Sequence, residues 1–200
     1  WGEEGAQALP PRAPPAVPVA SQATVAAIAK VLGGEGRFAF LLGGAALREP
    51  ALLLASRISE AAGVILHAEV FPTRMERGAG LPHVERIAYL AELASVQLAG
   101  LDHLIVVDAK APVSFFAYPG KQSYLVPQGC QLHTLAAYTQ SVQGSLDKLT
   151  KAVGAAHTIP LLQAAQRPVR PRGKFTADKV CKAIGHLLPE NRLRRETRGG

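Results

Sequence analysis

Chemistry in this sequence is most easily placed at Gly43-Gly44, directly behind the apolar run Arg37–Leu42 (RFAFLL). A glycine pair at a strand's C-terminal end lets backbone N–H groups approach a phosphate, and the N-terminus of a following helix favours anions. The stretch GGAALREP is neither GxGxxG nor GxxxxGK[ST]. A tight packing turn without ligand therefore stands beside nucleotide contact. Asp108 closes a second apolar run, HLIVV. At a strand end it can accept a ribose hydroxyl, or it can cap a turn before Ala111-Pro112. Arg74 and Arg77 lie in the glycine-containing loop FPTRMERGAGLP. They suit a phosphate clamp, and equally surface charges paired between elements.

Other reactive side chains form no constellation. His67, His103 and His133 fall in or at the start of strands, with no HxH, HExxH or CxxC spacing for a metal. His67 and Glu69 form a period-two pair without a nucleophile beside them, and Ser114 is not in a GxSxG elbow. Cys130 opens a buried strand and reads as core, while Cys181 lies on a late helix.

The elements that must hold these groups alternate. The pattern predicts a helix from Ser21 to Leu32, a strand at Arg37–Leu42 and a helix from Glu49-Pro50 to Ala62. A strand at Val64–Ala68 and a loop at Phe71–Pro82 follow. Next is a helix over Val84–Ala99 that places Ile87, Leu90, Leu93, Ala94 and Leu98 on one face. A strand at His103–Val107, a long loop at Pro112–Pro127 (Phe115, Phe116, Tyr118), a strand at Cys130–Leu135 and a helix at Val142–Val153 complete the body. Runs apolar on both faces belong to a parallel sheet covered on each side. The fold class is α/β: a doubly wound, mainly parallel sheet with helices on both faces, in three layers.

Composition bounds the rest. The 200 residues are 48% hydrophobic and 18% charged, which excludes a wholly disordered chain. Residues 1–166 carry 12 basic and 12 acidic side chains, so the net charge of +7 sits entirely beyond them. A charge run of this kind is a solvated tail, and it argues against nucleic acid as partner. No apolar run is long enough to span a membrane. Residues 1–18 read as a proline-rich linker, 19–156 as the α/β domain and 157–174 as a second linker with Pro160, Pro168, Pro171 and Gly173. Residues 175–200 read as the start of a truncated further domain, with a helix at Phe175–Leu188 and the basic tail NRLRRETRGG. A start at Trp1, two cysteines without a disulfide framework and no export signal suggest a piece of a longer, cytoplasmic protein.

Four stretches carry a resemblance. RFAFLLGGAALREPALLLASRISEAAGVIL resembles the opening of the central domain of thiamine-diphosphate-dependent enzymes, in the acetolactate synthase and benzoylformate decarboxylase branch. FPTRMERGAGLPHV is similar to the loop that follows, and LDHLIVVDAKAPVSFFAYPG to the next strand and turn. KFTADKVCKAIGHLLPEN resembles the helix that opens the C-terminal domain, so the likeness covers roughly Pro18–Asn191.

The resemblance implies a parent of three α/β domains that decarboxylates a 2-keto acid. An N-terminal domain would supply the glutamate that activates the cofactor. A C-terminal GDG…NN motif would hold Mg2+ and the thiamine diphosphate; no GDG occurs here. The central domain is structural in some members and binds FAD or ADP at its strand ends in others. Gly43 and Gly44 fall on that position, and Asp108 stands where many members have glycine, with less room for a nucleotide. The implied partners are N- and C-terminal domains and a second copy in a homo-oligomer. Beside a central domain inactive in isolation stand two other readings. One is a stand-alone FAD- or ADP-binding module; the other is an oligomerisation scaffold using the apolar loop Val113–Tyr124.

Overall fold

The computed structural model describes residues 12, 13, 15–117, 119, 120 and 122–189. Tyr118, the tail at 191–200 and most of the proline-rich 1–18 stretch lie outside the described residues.

Five strands form one sheet: β1 (Phe38–Leu42), β2 (Ile65–Ala68), β3 (Glu85–Arg86), β4 (His103–Val107) and β5 (Gln131–Ala136). They run in the order β3-β2-β1-β4-β5, and every pair is parallel. All five residues of β1 are buried, as the two-sided apolar run requires. Phe38, Phe40 and Leu42 face a core shared with α1 (Gln22–Leu32), α2 (Glu49–Ala62) and α4 (Val142–Ala152). Ala39 and Leu41 face the other way, toward α3 (Ala91–Leu98) and Leu125-Val126. The sheet thus has helices on both faces, in the expected doubly wound class.

Local signals explain the helix ends. Ser21 and Ser141 cap α1 and α4 by accepting from the amides of Thr24 and Gly144. Pro50 sits in the first turn of α2, and Gly63 ends that helix in the left-handed conformation.

The helix expected over Val84–Ala99 is corrected. Its first residues instead pair with β2 as β3, and Ile87 N donates to Ala68 O at 3.0 Å or less (2.9 Å). The Gln97 side chain accepts from Ala88 N at 2.7 Å, closing the turn before α3. The buried stripe is Ala91, Ala94 and Leu98, whereas Leu90 and Leu93 are exposed. Backbone hydrogen bonds to a sheet edge outweigh the helical spacing of the apolar residues here.

After α4 the chain crosses the molecule. Ser56 Oγ donates to Leu161 O, and Gln163 binds the loop before β3 through both its main chain and its side chain. Beyond it, α5 (Ala177–Leu187) buries none of its residues. His186 Nδ1 lies 3.0 Å from Pro168 O, so this helix rests on the preceding proline-rich segment.

Candidate functional site at the strand ends

The strand order reverses between β1 and β4, and such a switch point opens a crevice at the strands' C-terminal ends. Gly43 follows β1 and Asp108 follows β4, so these two expected residues meet there. Gly43 N donates to Val107 O at 3.0 Å and Asp108 N to Ala136 O at 2.8 Å, extending the ladders by one bond each. Gly44 opens a short 3-10 turn, Gly44–Leu47, that leads into α2.

Asp108 is the one non-glycine residue with positive φ (52°) among the described residues. Aspartate tolerates this region better than most side chains. The conformation turns its carboxylate onto the glycine turn: Oδ2 accepts from Ala45 N at 2.7 Å. Asp108 is therefore a cap, but of the turn after β1 rather than of Ala111-Pro112. Glu69, directly after β2, reaches the same turn and accepts from Gly44 N at 3.4 Å. A third carboxylate, Glu76, accepts from Glu49 N at 2.5 Å at the start of α2.

These contacts account for every N–H of the turn. Gly43 N goes to Val107 O, Gly44 N to Glu69, Ala45 N to Asp108, and Ala46 N to Gly43 O at 2.8 Å. Packing is equally tight. A Cβ on Gly43 would fall 2.4 Å from Asp108 O, and one on Gly44 2.2 Å from Asp108 Oδ2. Gly44 also has φ of +40°. Both glycines are thus required by this geometry whether or not anything binds. Burial pushes the Glu69 carboxyl above its usual range; the Gly44 N–H opposes that shift and the Asp108 charge adds to it.

On the α3 side of these carboxylates lies a cleft of about 900 Å³, within the range of small-molecule sites. Its floor includes Leu41 and Ile87, Glu69 and Asp108 border it, and Phe71, Tyr89 and Phe115 stand at its wall. The rings pack edge-on or tilted at 5.4–5.7 Å. Phe71 and Phe115 are nonetheless about 60% exposed (61% and 60%).

Arg74 does not join the site. It lies in the loop after β2, 3.8 Å from Glu76, and does not border the cleft. Arg77, in the same loop, is exposed. Sequence reading missed Glu69 and Glu76 as partners of the turn. The available signal was an acidic residue immediately after an apolar strand, which Glu69 shares with Asp108.

The histidines are spread over the sheet. His67 is buried on β2 and held below its usual pKa by that burial, against the opposing influence of Glu85. Its ring nitrogens make no well-aligned hydrogen bond; the Glu85 main chain is a loose neighbour. His103 Nδ1 and His133 Nε2 lie 3.1 Å apart near the opposite end of β4 and β5. Burial lowers the His133 pKa, and His103 lowers it further. Among the described residues no three His, Cys, Asp or Glu side chains are placed to share a metal ion. Cys130 is half-buried against the α3-side core, its thiol pushed up by burial, and Cys181 is exposed.

No family model matches the sequence. The chain is 42% identical over 181 residues to the acetolactate synthase-like large subunit IlvX of Mycobacterium tuberculosis, a match over 90% of this chain. Two solved structures share its fold. One, from Mycobacterium smegmatis and named as a thiamin diphosphate-dependent enzyme, aligns at TM-score 0.62 with 19% identity over 90% of this chain. The other, the thiamine diphosphate-dependent 4-hydroxybenzoylformate decarboxylase of Rhodococcus jostii, aligns at TM-score 0.55 with 20% identity over 82%. The chain is similar over most of its length to an acetolactate synthase-like large subunit and has the fold of thiamine-diphosphate-dependent enzymes. The chain spans about a third of the curated relative it matches (34%), and 38% and 32% of the two solved chains. Among its described residues no helix is long and apolar enough to cross a membrane.

Proposed function

We propose that this chain is the central, structural domain of a thiamine-diphosphate-dependent 2-keto acid decarboxylase or acetolactate synthase-like enzyme, and that it is inactive in isolation. The observation that carries the reading is the 42% identity to IlvX over nearly the whole chain but a third of the relative. In the parent, thiamine diphosphate supplies an electron sink for decarboxylation. It and Mg2+ would be held by N- and C-terminal domains, the second of which α5 opens. This domain's part is to space and orient those neighbours.

A homo-oligomeric parent in the cytoplasm fits the same reading. Support comes from the exposed side chains of Val113, Phe115, Phe116 and Tyr124 and from two cysteines in thiol form. Partly apolar, solvent-facing rings of this kind suit a contact with a second copy.

Two assays test the proposal. The isolated chain, given a 2-keto acid, thiamine diphosphate and Mg2+, should release no CO2 above background. A chimera in which this chain replaces the matching segment of IlvX should fold and retain the cofactor binding of unaltered IlvX. Turnover by the isolated chain, or a chimera that folds but loses cofactor binding, would overturn it.

A further inference from the structure

The FAD or ADP that some members of this fold family hold at the strand ends does not fit the residues found here. We infer that the glycine turn is closed to a nucleotide diphosphate because the chain's own carboxylates, Asp108 and Glu69, already occupy the phosphate's place.

A diphosphate at a strand-end turn is held by free backbone N–H groups and by the positive end of a helix. In this chain the N–H groups of residues 43–46 are all engaged, two of them by carboxylate oxygens. An Oδ2 bonded to Ala45 N at 2.7 Å stands in for a phosphate oxygen. The start of α2 repeats the device, since Glu49 N is engaged by Glu76. An entering diphosphate would have to displace oxygens that cannot move far. Asp108 is fixed by its backbone bond to Ala136, and its Oδ2 fills the space that a Cβ on Gly44 would need.

Electrostatics act in the same direction. Glu69 and Asp108 border the cleft, while Gly43, Gly44 and Ala45 do not. The carboxylates thus stand between the cleft and the amides that would recognise a phosphate. A ligand carrying two or more negative charges would meet like charges at hydrogen-bond range, which is unfavourable where water is partly excluded. Lys110, on the rim, is the one cationic side chain bordering the cleft among the described residues. The closure is a property of this turn and does not depend on the chain's place in a parent enzyme.

The test is a gain of binding. ADP and FAD are titrated calorimetrically into the chain and into its Asp108→Gly variant. Glycine relieves the positive φ, removes the carboxylate and frees Ala45 N. The unaltered chain should show no binding at millimolar ADP, and Asp108→Gly should bind ADP at least about tenfold more tightly. Asp108→Asn, which keeps an oxygen on Ala45 N, should stay closed. The inference is overturned if the unaltered chain binds either nucleotide with the Gly44 and Ala45 amides involved. It is equally overturned if a folded Asp108→Gly variant gains nothing. Should the glycine variant not fold, an NMR titration of the unaltered chain decides: unmoved Gly44 and Ala45 amide resonances support closure, and shifts on ADP addition refute it.

Discussion

Asp108 and Gly44 are shaped around each other, the aspartate at φ +52° and the glycine at φ +40°, with the carboxylate where a Cβ on Gly44 would lie. The missing Cβ of the glycine leaves the space that the carboxylate fills. The two residues belong to connections behind different strands, so their fit fastens the end of β4 to the turn behind β1.

That fit predicts a specific pattern of coupling. Gly44→Ala should destabilise the chain by about 1–3 kcal/mol, the cost of a strained positive φ, plus the clash with Oδ2. Adding Asp108→Gly should recover part of the loss, because the clashing atom is a side-chain oxygen. Gly43→Ala should not be rescued, since its Cβ would meet the main-chain oxygen of residue 108 at 2.4 Å. Urea denaturation of the three single and two double variants checks this; equal rescue at both glycines contradicts the geometry.

Acid should loosen the domain through His67. Its folded pKa lies below the ordinary 6.5, so the unfolded chain binds the proton more readily. The stability it contributes is present above about pH 6.5 and is lost as pH falls toward the folded value. His133 acts in the same direction. His67→Leu removes a buried imidazole without good partners, a group that costs about 1–3 kcal/mol. The variant's melting temperature should fall less steeply between neutral pH and about pH 5. Parallel curves for the two proteins would show that His67 does not sense the pH.

Two phenylalanines should behave oppositely. Phe40, fully buried at the centre of β1, should cost about 3–5 kcal/mol on truncation to alanine. Phe115 is 60% exposed, and Phe115→Ser should change unfolding free energy by no more than about 0.5 kcal/mol. If the ring surface is a contact between copies, that same variant should shift the sedimentation profile toward monomer. An unchanged profile would place the contact elsewhere.

Strands and helices were legible wherever one residue pattern dominated. RFAFLL and HLIVV could bury both faces only inside a parallel sheet, and Ser21, Pro50 and Gly63 marked helix ends by their own chemistry. The start of α3 was illegible because Ile87 and Leu90 have helical spacing, while the β2 edge that captures Glu85-Arg86 is remote in sequence. Gly43, Gly44 and Asp108 could be placed at one crevice from their positions behind strands. That Asp108 would turn back onto Ala45, and that Glu69 would join it, depends on a left-handed backbone and a register between three strands. Neither is written in local spacing.

Gln163 sets where the remaining chain gains its freedom. Its side-chain nitrogen donates to the carbonyls of Gly78, Leu81 and Pro82, and its main chain exchanges bonds with Gly80 and Leu81. The polypeptide leaving α4, near β5, is therefore sewn to the far border of the sheet before it is let go. Whatever lies beyond is hung from the β3 side, and because His186 lies against Pro168 O, α5 and the Pro168 segment leave that anchor as one piece rather than from the exit of α4.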